Sequence, residues 1–242
     1  MRSEMCQGRG ARLLATAALL VLGAICPALA DEKPGDCLGV DFDAPHPIAI
    51  GKIVTDKPRV NFIKSAWEDA ACPADSDACS AQAYLVPGDL VLLGKKNGAY
   101  TCASYQSAED RTQRWTNGWL LAVSLAPVTP VPSPARSDWI GGWVRAGGEI
   151  DITEAGDGRL KIHGEAIYRA AQDVHNGVID ATAKPAQGVV AFADDGKVAF
   201  DKAGADSCVV RMQRVEALLV AEDNGNCGGV DVTFAGFYRR KE

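Results

Sequence analysis

Along most of the chain, hydrophobic and polar residues alternate in short runs that Gly, Pro, Asn and Asp cut off. Alternation with a period of two is the mark of a strand with one face buried, whereas a helix needs apolar positions three and four apart. In the first half this pattern predicts strands at 49–54, 59–63, 83–86, 89–93, 99–105 and 118–121. Turns are expected at Pro87-Gly88-Asp89 and Lys96-Asn97-Gly98. Only 65–71 offers a helical turn. Without crossover helices, such strands build a small antiparallel barrel rather than a parallel sheet.

In the second half the same reading gives strands at 139–145, 149–153, 159–168, 188–193, 197–201, 207–215, 217–222 and 230–238. Hairpins are expected at Gly156-Asp157-Gly158 and Asp194-Asp195-Gly196. Val230, Val232 and Phe234 are placed on one face, with Asp231, Thr233 and Ala235 on the other. The implied architecture is an up-and-down barrel of about eight strands. Between the halves, residues 126–134 hold four prolines in nine positions, a composition that disfavours helix and favours an extended spacer. The expected fold is therefore all-β, two small antiparallel β-barrels at 31–125 and 139–242 joined by a linker at 126–138.

The amino terminus reads differently. Arg2, Arg9 and Arg12 precede an uncharged apolar stretch, and Ala28-Leu29-Ala30 offers small residues for a signal peptidase. Residues 1–30 are thus expected to be a cleaved signal peptide, and no later segment is apolar for long enough to span a membrane. Cleavage removes Cys6 and Cys26 and leaves six cysteines. An even number in an exported chain points to disulfides rather than to zinc, for which no C-x-x-C knuckle is present. Cys208 and Cys227 are the two in the second half and flank neighbouring strands, so they are paired; the other four pair among themselves in an arrangement that sequence alone does not choose, with Cys72–Cys79 across a polar loop and Cys37–Cys102 the favoured set. A periplasmic or secreted location follows. The 25 basic and 31 acidic residues become 22 and 30 once the leader is removed. That acidic balance, with Lys and Arg scattered, argues against nucleic acid as a partner.

Three stretches in the first half carry a resemblance to a known family. Val60-Asn61-Phe62, then Pro87-Gly88-Asp89-Leu90-Val91-Leu92 before an Asn97-Gly98 hairpin and Tyr100, then Thr116-Asn117-Gly118-Trp119-Leu120, together resemble a bacterial SH3-like domain over residues 58–126. Relatives of that domain often bind peptidoglycan peptides or other envelope ligands. The resemblance implies an aromatic ligand surface of Tyr100, Tyr105, Trp115 and Trp119, set against the alternative that Trp119 and Tyr100 are core. In the second half, Gly141-Gly142-Trp143 with Arg239 or Arg240 resembles calycin-type barrels, in which a Gly-x-Trp on the first strand packs on an Arg from the last. The run 223–234 is similar to the ending of envelope proteins that carry lysozyme-inhibitor-like modules.

No catalytic constellation stands out. His46, His163 and His175 fall in separate segments with no nucleophile motif beside them. Asp41, Asp43 and His46 lie in a proline-bounded lead-in, and no metal or cofactor is expected. The expected function is that of a non-enzymatic periplasmic or secreted binding protein that contacts an envelope ligand such as peptidoglycan or another envelope protein. Two alternatives are an inhibitor of a lysozyme-type hydrolase, acting through the 223–229 loop, and a small-ligand carrier using the interior of the second barrel.

Overall fold

The computed structural model describes residues 33–42, 46–107, 114–169 and 173–242; the expected signal peptide and Asp43 lie outside them. The chain is all-β. The first sheet has seven strands: β1 (Ala49–Ile53), β2 (Val60–Ile63), β3 (Ser80–Leu85), β4 (Leu90–Asn97), β5 (Tyr100–Tyr105), β6 (Thr116–Leu121) and β7 (Leu125–Val128). Their order is β3-β2-β6-β5-β4-β1-β7 and every pairing is antiparallel. Ile53, Phe62, Leu85, Val91 and Leu120 fill its core. Each such side chain taken out of water contributes about 1.5–3 kcal/mol.

The second sheet is an eight-stranded meander: β8 (Gly141–Arg145), β9 (Gly148–Ala155), β10 (Arg159–Arg169), β11 (Val174–Ala183), β12 (Val189–Ala193), β13 (Val209–Val215), β14 (Leu218–Asp223) and β15 (Gly236–Arg240). Last strand β15 pairs with first strand β8, and the one break in the ring falls between β11 and β12, so the barrel is nearly closed. A one-turn helix, α1 (Arg136–Trp139), leads into β8. Trp139, Trp143, Leu160, Ile179, Phe192, Phe234 and other buried side chains fill the interior.

Three disulfides join Cys37 to Cys102, Cys72 to Cys79 and Cys208 to Cys227, the set favoured from the sequence. The first closes a separation of 65 residues, for which the chain-entropy argument gives about 4 kcal/mol. Such covalent links belong to an oxidising compartment. Among the described residues, no helix is long and apolar enough to cross a membrane.

Ser65 to Ala71 forms turns, of which 65–69 is the one helical turn, the Asp69 N–H reaching the Ser65 carbonyl at 3.1 Å. Several elements differ from expectation. The proline-rich stretch begins as β7, because Pro127 sits opposite Gly51 at the sheet edge, where a missing N–H costs nothing. Residues 197–201 form no strand, and the eighth strand is instead β11, unread because its inward positions Gly177, Ala181 and Ala183 are too small to show alternation. Residues 230–235 are irregular: Val232 and Phe234 point inward as expected, but Val230 is exposed. Asp231 takes a positive φ of 63°, and the peptide chain becomes a strand only at Gly236.

The two sheets pack on each other within one compact unit, 33–242. Ile48, Ile50 and Leu92 of the first side meet Val215 and Val220 of the second. Strands β13 and β14 are therefore buried on both faces.

Candidate functional site

A buried polar network locks the sheets together. Arg211 and Glu222 are register partners on β13 and β14, and their charged ends lie 3.0 Å apart. The Glu222 carboxylate also accepts the Ile48 N–H at 2.8 Å and the Gln213 amide at 3.1 Å. Burial raises the Glu222 pKa, opposed by the Ile48 bond, by Arg211 and by Gln213. At the rim, Lys52 of β1 pairs with Glu216 of the β13–β14 hairpin.

Where the sheets diverge they leave a cleft of 370 Å³. One wall is the Gly88-Asp89 turn and the end of β5. The other is the β8–β9 and β13–β14 hairpins with β15. The turn is built locally: Gly88 adopts a φ of 95°, and the Asp89 carboxylate accepts the Val86 N–H at 2.8 Å. Leu90, Leu218 and Phe237 give the cleft an apolar base, while Arg145, Arg239, Asp89 and Glu216 supply charge of both signs. Arg145 is held rigidly, donating to the carbonyls of Ala146 and Thr233 and lying 5.3 Å over the Tyr238 ring. Tyr238 is fully buried, donates to the Phe234 carbonyl at 2.8 Å, and has its pKa raised by that burial. Among the described residues, no His or Cys lines the cleft. Such a lining combines apolar surface with charge of both signs, and arginine is a side chain well suited to pairing with a carboxylate.

The four aromatics expected to share one surface are separated. Tyr105 lines the cleft. Trp115 packs against Phe42, ring centroids 5.9 Å apart, in a second depression. Trp119 is wholly buried beside the Cys37–Cys102 bridge and donates its indole N–H to the Gly35 carbonyl at 3.0 Å. Tyr100 packs on that same cluster. The core alternative holds for Trp119, since a side chain without exposure offers no face to a ligand.

In the second barrel, Arg240 lies opposite Trp143 in register, with its guanidinium 4.5 Å over the indole and donating to the Ile140 and Asp138 carbonyls. Arg214 approaches the same ring at 4.3 Å. Burial and the nearby Arg240 lower the Arg214 pKa. The 223–229 loop is a fastened turn: Asn224 bridges the Val209 N–H and the Ser207 carbonyl, and Cys227 is tied to Cys208. Among the described residues, no cluster of three or more metal-ligating side chains forms.

Arg145 and Glu216 were not singled out from sequence, and Arg239 was named only as an alternative to Arg240 for the partner of Trp143. Arg145 and Glu216 sit in or beside hairpins and Arg239 near the end of β15, where charged residues ordinarily mean a solvated rim, and only the packing of one sheet against the other turns them into a wall. Compared with protein-family models, curated proteins and solved structures, the chain matches none.

Proposed function

We propose that this is a non-enzymatic binding protein of the periplasm or the secreted fraction, holding an envelope ligand such as a peptidoglycan peptide in the cleft between its two sheets. One observation carries the reading: Tyr105 of the first sheet shares a 370 Å³ cleft with Arg145 and Arg239 of the second. An aromatic face against two guanidinium groups suits a short peptide ending in a carboxylate. The disulfides suit the compartment. The SH3-like resemblance of residues 58–126 adds the ligand class. The filled interior of the second barrel favours the cleft over a carrier site inside it.

The test is co-sedimentation of the oxidised protein with intact peptidoglycan sacculi, alongside Tyr105→Ala and Arg239→Ala. Saturable pelleting that both variants lose, with their melting temperatures retained, is expected. Absence of pelleting by the unaltered protein overturns the reading.

A second reading is inhibition of a lysozyme-type hydrolase by the 223–229 loop. Its support is that Gly225 and Asn226 are exposed on a turn the disulfide holds in shape. Stoichiometric inhibition of muramidase activity would favour it over the first.

A further inference from the structure

The ring of strands β8 to β15 is broken between β11 and β12, where among the described residues no strand pairing crosses. A free strand edge presents unpaired main-chain groups and is ordinarily covered. Here the cover is a loop rather than a strand. The Gly229 N–H donates to the Asn176 carbonyl of β11 at 3.1 Å, His175 Nδ1 lies 2.6 Å from the Val230 carbonyl oxygen, and a Cβ added to Gly177 would fall on the Cys227 carbonyl. Further along the same edge, the Asp180 N–H donates to Asp195 Oδ1 at 3.0 Å.

Both pieces of this cover are tied to the far side of the break at one residue, Cys208, which directly precedes β13. Its sulfur is bonded to Cys227. Its main chain exchanges two hydrogen bonds with Asp194, whose N–H donates to the Cys208 carbonyl at 2.9 Å and whose Oδ1 accepts the Cys208 N–H at 2.9 Å. This bridge is also the most accessible of the three disulfides. Cys208 is half-buried, whereas Cys37, Cys72, Cys79 and Cys102 are all 5 % exposed or less. Cys208 and Cys227 line a third depression, of 250 Å³, beside Asp194, Asp195 and Lys197. Exposed disulfides are the ones open to exchange with a thiol, while enclosed ones resist it.

We propose that Cys208–Cys227 is a site of thiol–disulfide exchange, and that its reduction by a small external dithiol opens the seam between β11 and β12. A thiolate of the dithiol attacks the Cys208 sulfur from the depression. A mixed disulfide forms as the bond to Cys227 breaks, and the Cys227 thiolate takes up a proton. The second thiol of the dithiol, losing its proton, then displaces Cys208, which is protonated in turn. Two electrons and two protons pass to the protein, and the dithiol is oxidised to a disulfide. With the covalent tie gone, the 224–230 loop is held to the β13 side by the hydrogen bonds of Asn224 and Asn226, so the cover of β11 lifts while the other strands stay paired. The site is independent of the ligand proposed for the cleft.

The test treats the oxidised protein with graded dithiothreitol in the absence of denaturant, alkylates the free thiols, identifies them by mass spectrometry and follows amide hydrogen exchange on the same samples. Cys208 and Cys227 are expected to be labelled together at a dithiol concentration about tenfold below that needed for either other disulfide. Exchange at Asp180 and Gly229, whose bonds cover the β11 edge, should then rise about tenfold or more, while β5 and β9 keep their protection. Cys208→Ser with Cys227→Ser should show the same exchange without dithiol, and the reduced natural protein supplies the decision if that variant does not fold. Reduction of another pair first, no reduction short of unfolding, or selective reduction that leaves exchange at Asp180 and Gly229 unchanged overturns the proposal.

Discussion

Arg211 stands directly across from Glu222 on neighbouring strands, and both are buried, with their charged ends 3.0 Å apart on the face where the two sheets meet. An ion pair in such a place gains little net stability over an apolar pair, because both charges lose their water. What it supplies here is connection: Glu222 holds the Ile48 N–H, and Arg211 reaches the Phe42 carbonyl at 3.4 Å.

The consequence is an asymmetry between single and double substitution. Glu222→Leu alone should cost about 3–5 kcal/mol, since it strands the Arg211 charge and the Ile48 N–H in the interior. Arg211→Met with Glu222→Leu should recover most of that loss. Urea unfolding of the four proteins in a double-mutant cycle checks it, and additive single effects would contradict it.

Trp143 gives a second prediction. The Arg240 guanidinium covers its ring and reaches two carbonyls at the entry to β8, a geometry that requires a planar fork. Arg240→Lys should therefore lower stability by about 1–2 kcal/mol despite keeping the charge. The check is the thermal midpoint of Arg240→Lys beside Arg239→Lys, which faces the cleft and should change little.

Much of the fold was legible because it rests on local alternation. Leu160 and Ile162 point inward between polar neighbours, and that pattern alone predicts β10. Position in the chain paired Cys208 with Cys227, while the other two pairs were favoured among open alternatives that the structure then resolves. What escaped notice depends on contacts distant in sequence. Strand β11 hid because small inward residues leave room for the 227–232 segment. Arg211 and Gln213 alternate with Val210 and Met212, and nothing local says that the other sheet covers them or Glu222. The candidate cleft was legible only at Tyr105, and for Trp119 the sequence left a ligand surface and the core as alternatives, of which its full burial answers to the core.

The stapled loop predicts a contrast between two glycines. A Cβ on Gly177 would fall on the Cys227 carbonyl and within 2.9 Å of Gly228 Cα, so β11 and the loop would be forced apart. Gly177→Ala should cost about 1–3 kcal/mol. Gly156 has nothing within 4 Å of a built Cβ and no positive φ, so Gly156→Ala should be neutral or gain up to about 1 kcal/mol by restricting the unfolded chain. Chemical denaturation of both variants decides, and equal effects would count against the packing assigned to Gly177.

Asp223 carries a pH signature with a definite sign. Burial raises its pKa, opposed by the Thr233 hydroxyl, the Phe234 and Ala235 main chain and the Arg145 charge. The folded protein therefore keeps this proton over a window that starts near the ordinary aspartate value, about 3.9, and extends upward. Within the window the native state binds more protons than the unfolded state, so the contribution of this group is fully present below it and is lost as pH rises through the folded pKa. Asparagine mimics the protonated side chain and does not titrate. The stability of Asp223→Asn relative to the unaltered protein should thus increase as pH rises from about 4 through the folded pKa, above which the natural carboxylate bears its full desolvation cost. Urea midpoints of both proteins across that range isolate the group from all others that titrate. A difference that stays constant with pH, or that moves in favour of aspartate, would show that the ionised form is the better accommodated one and would place a further donor at Oδ2.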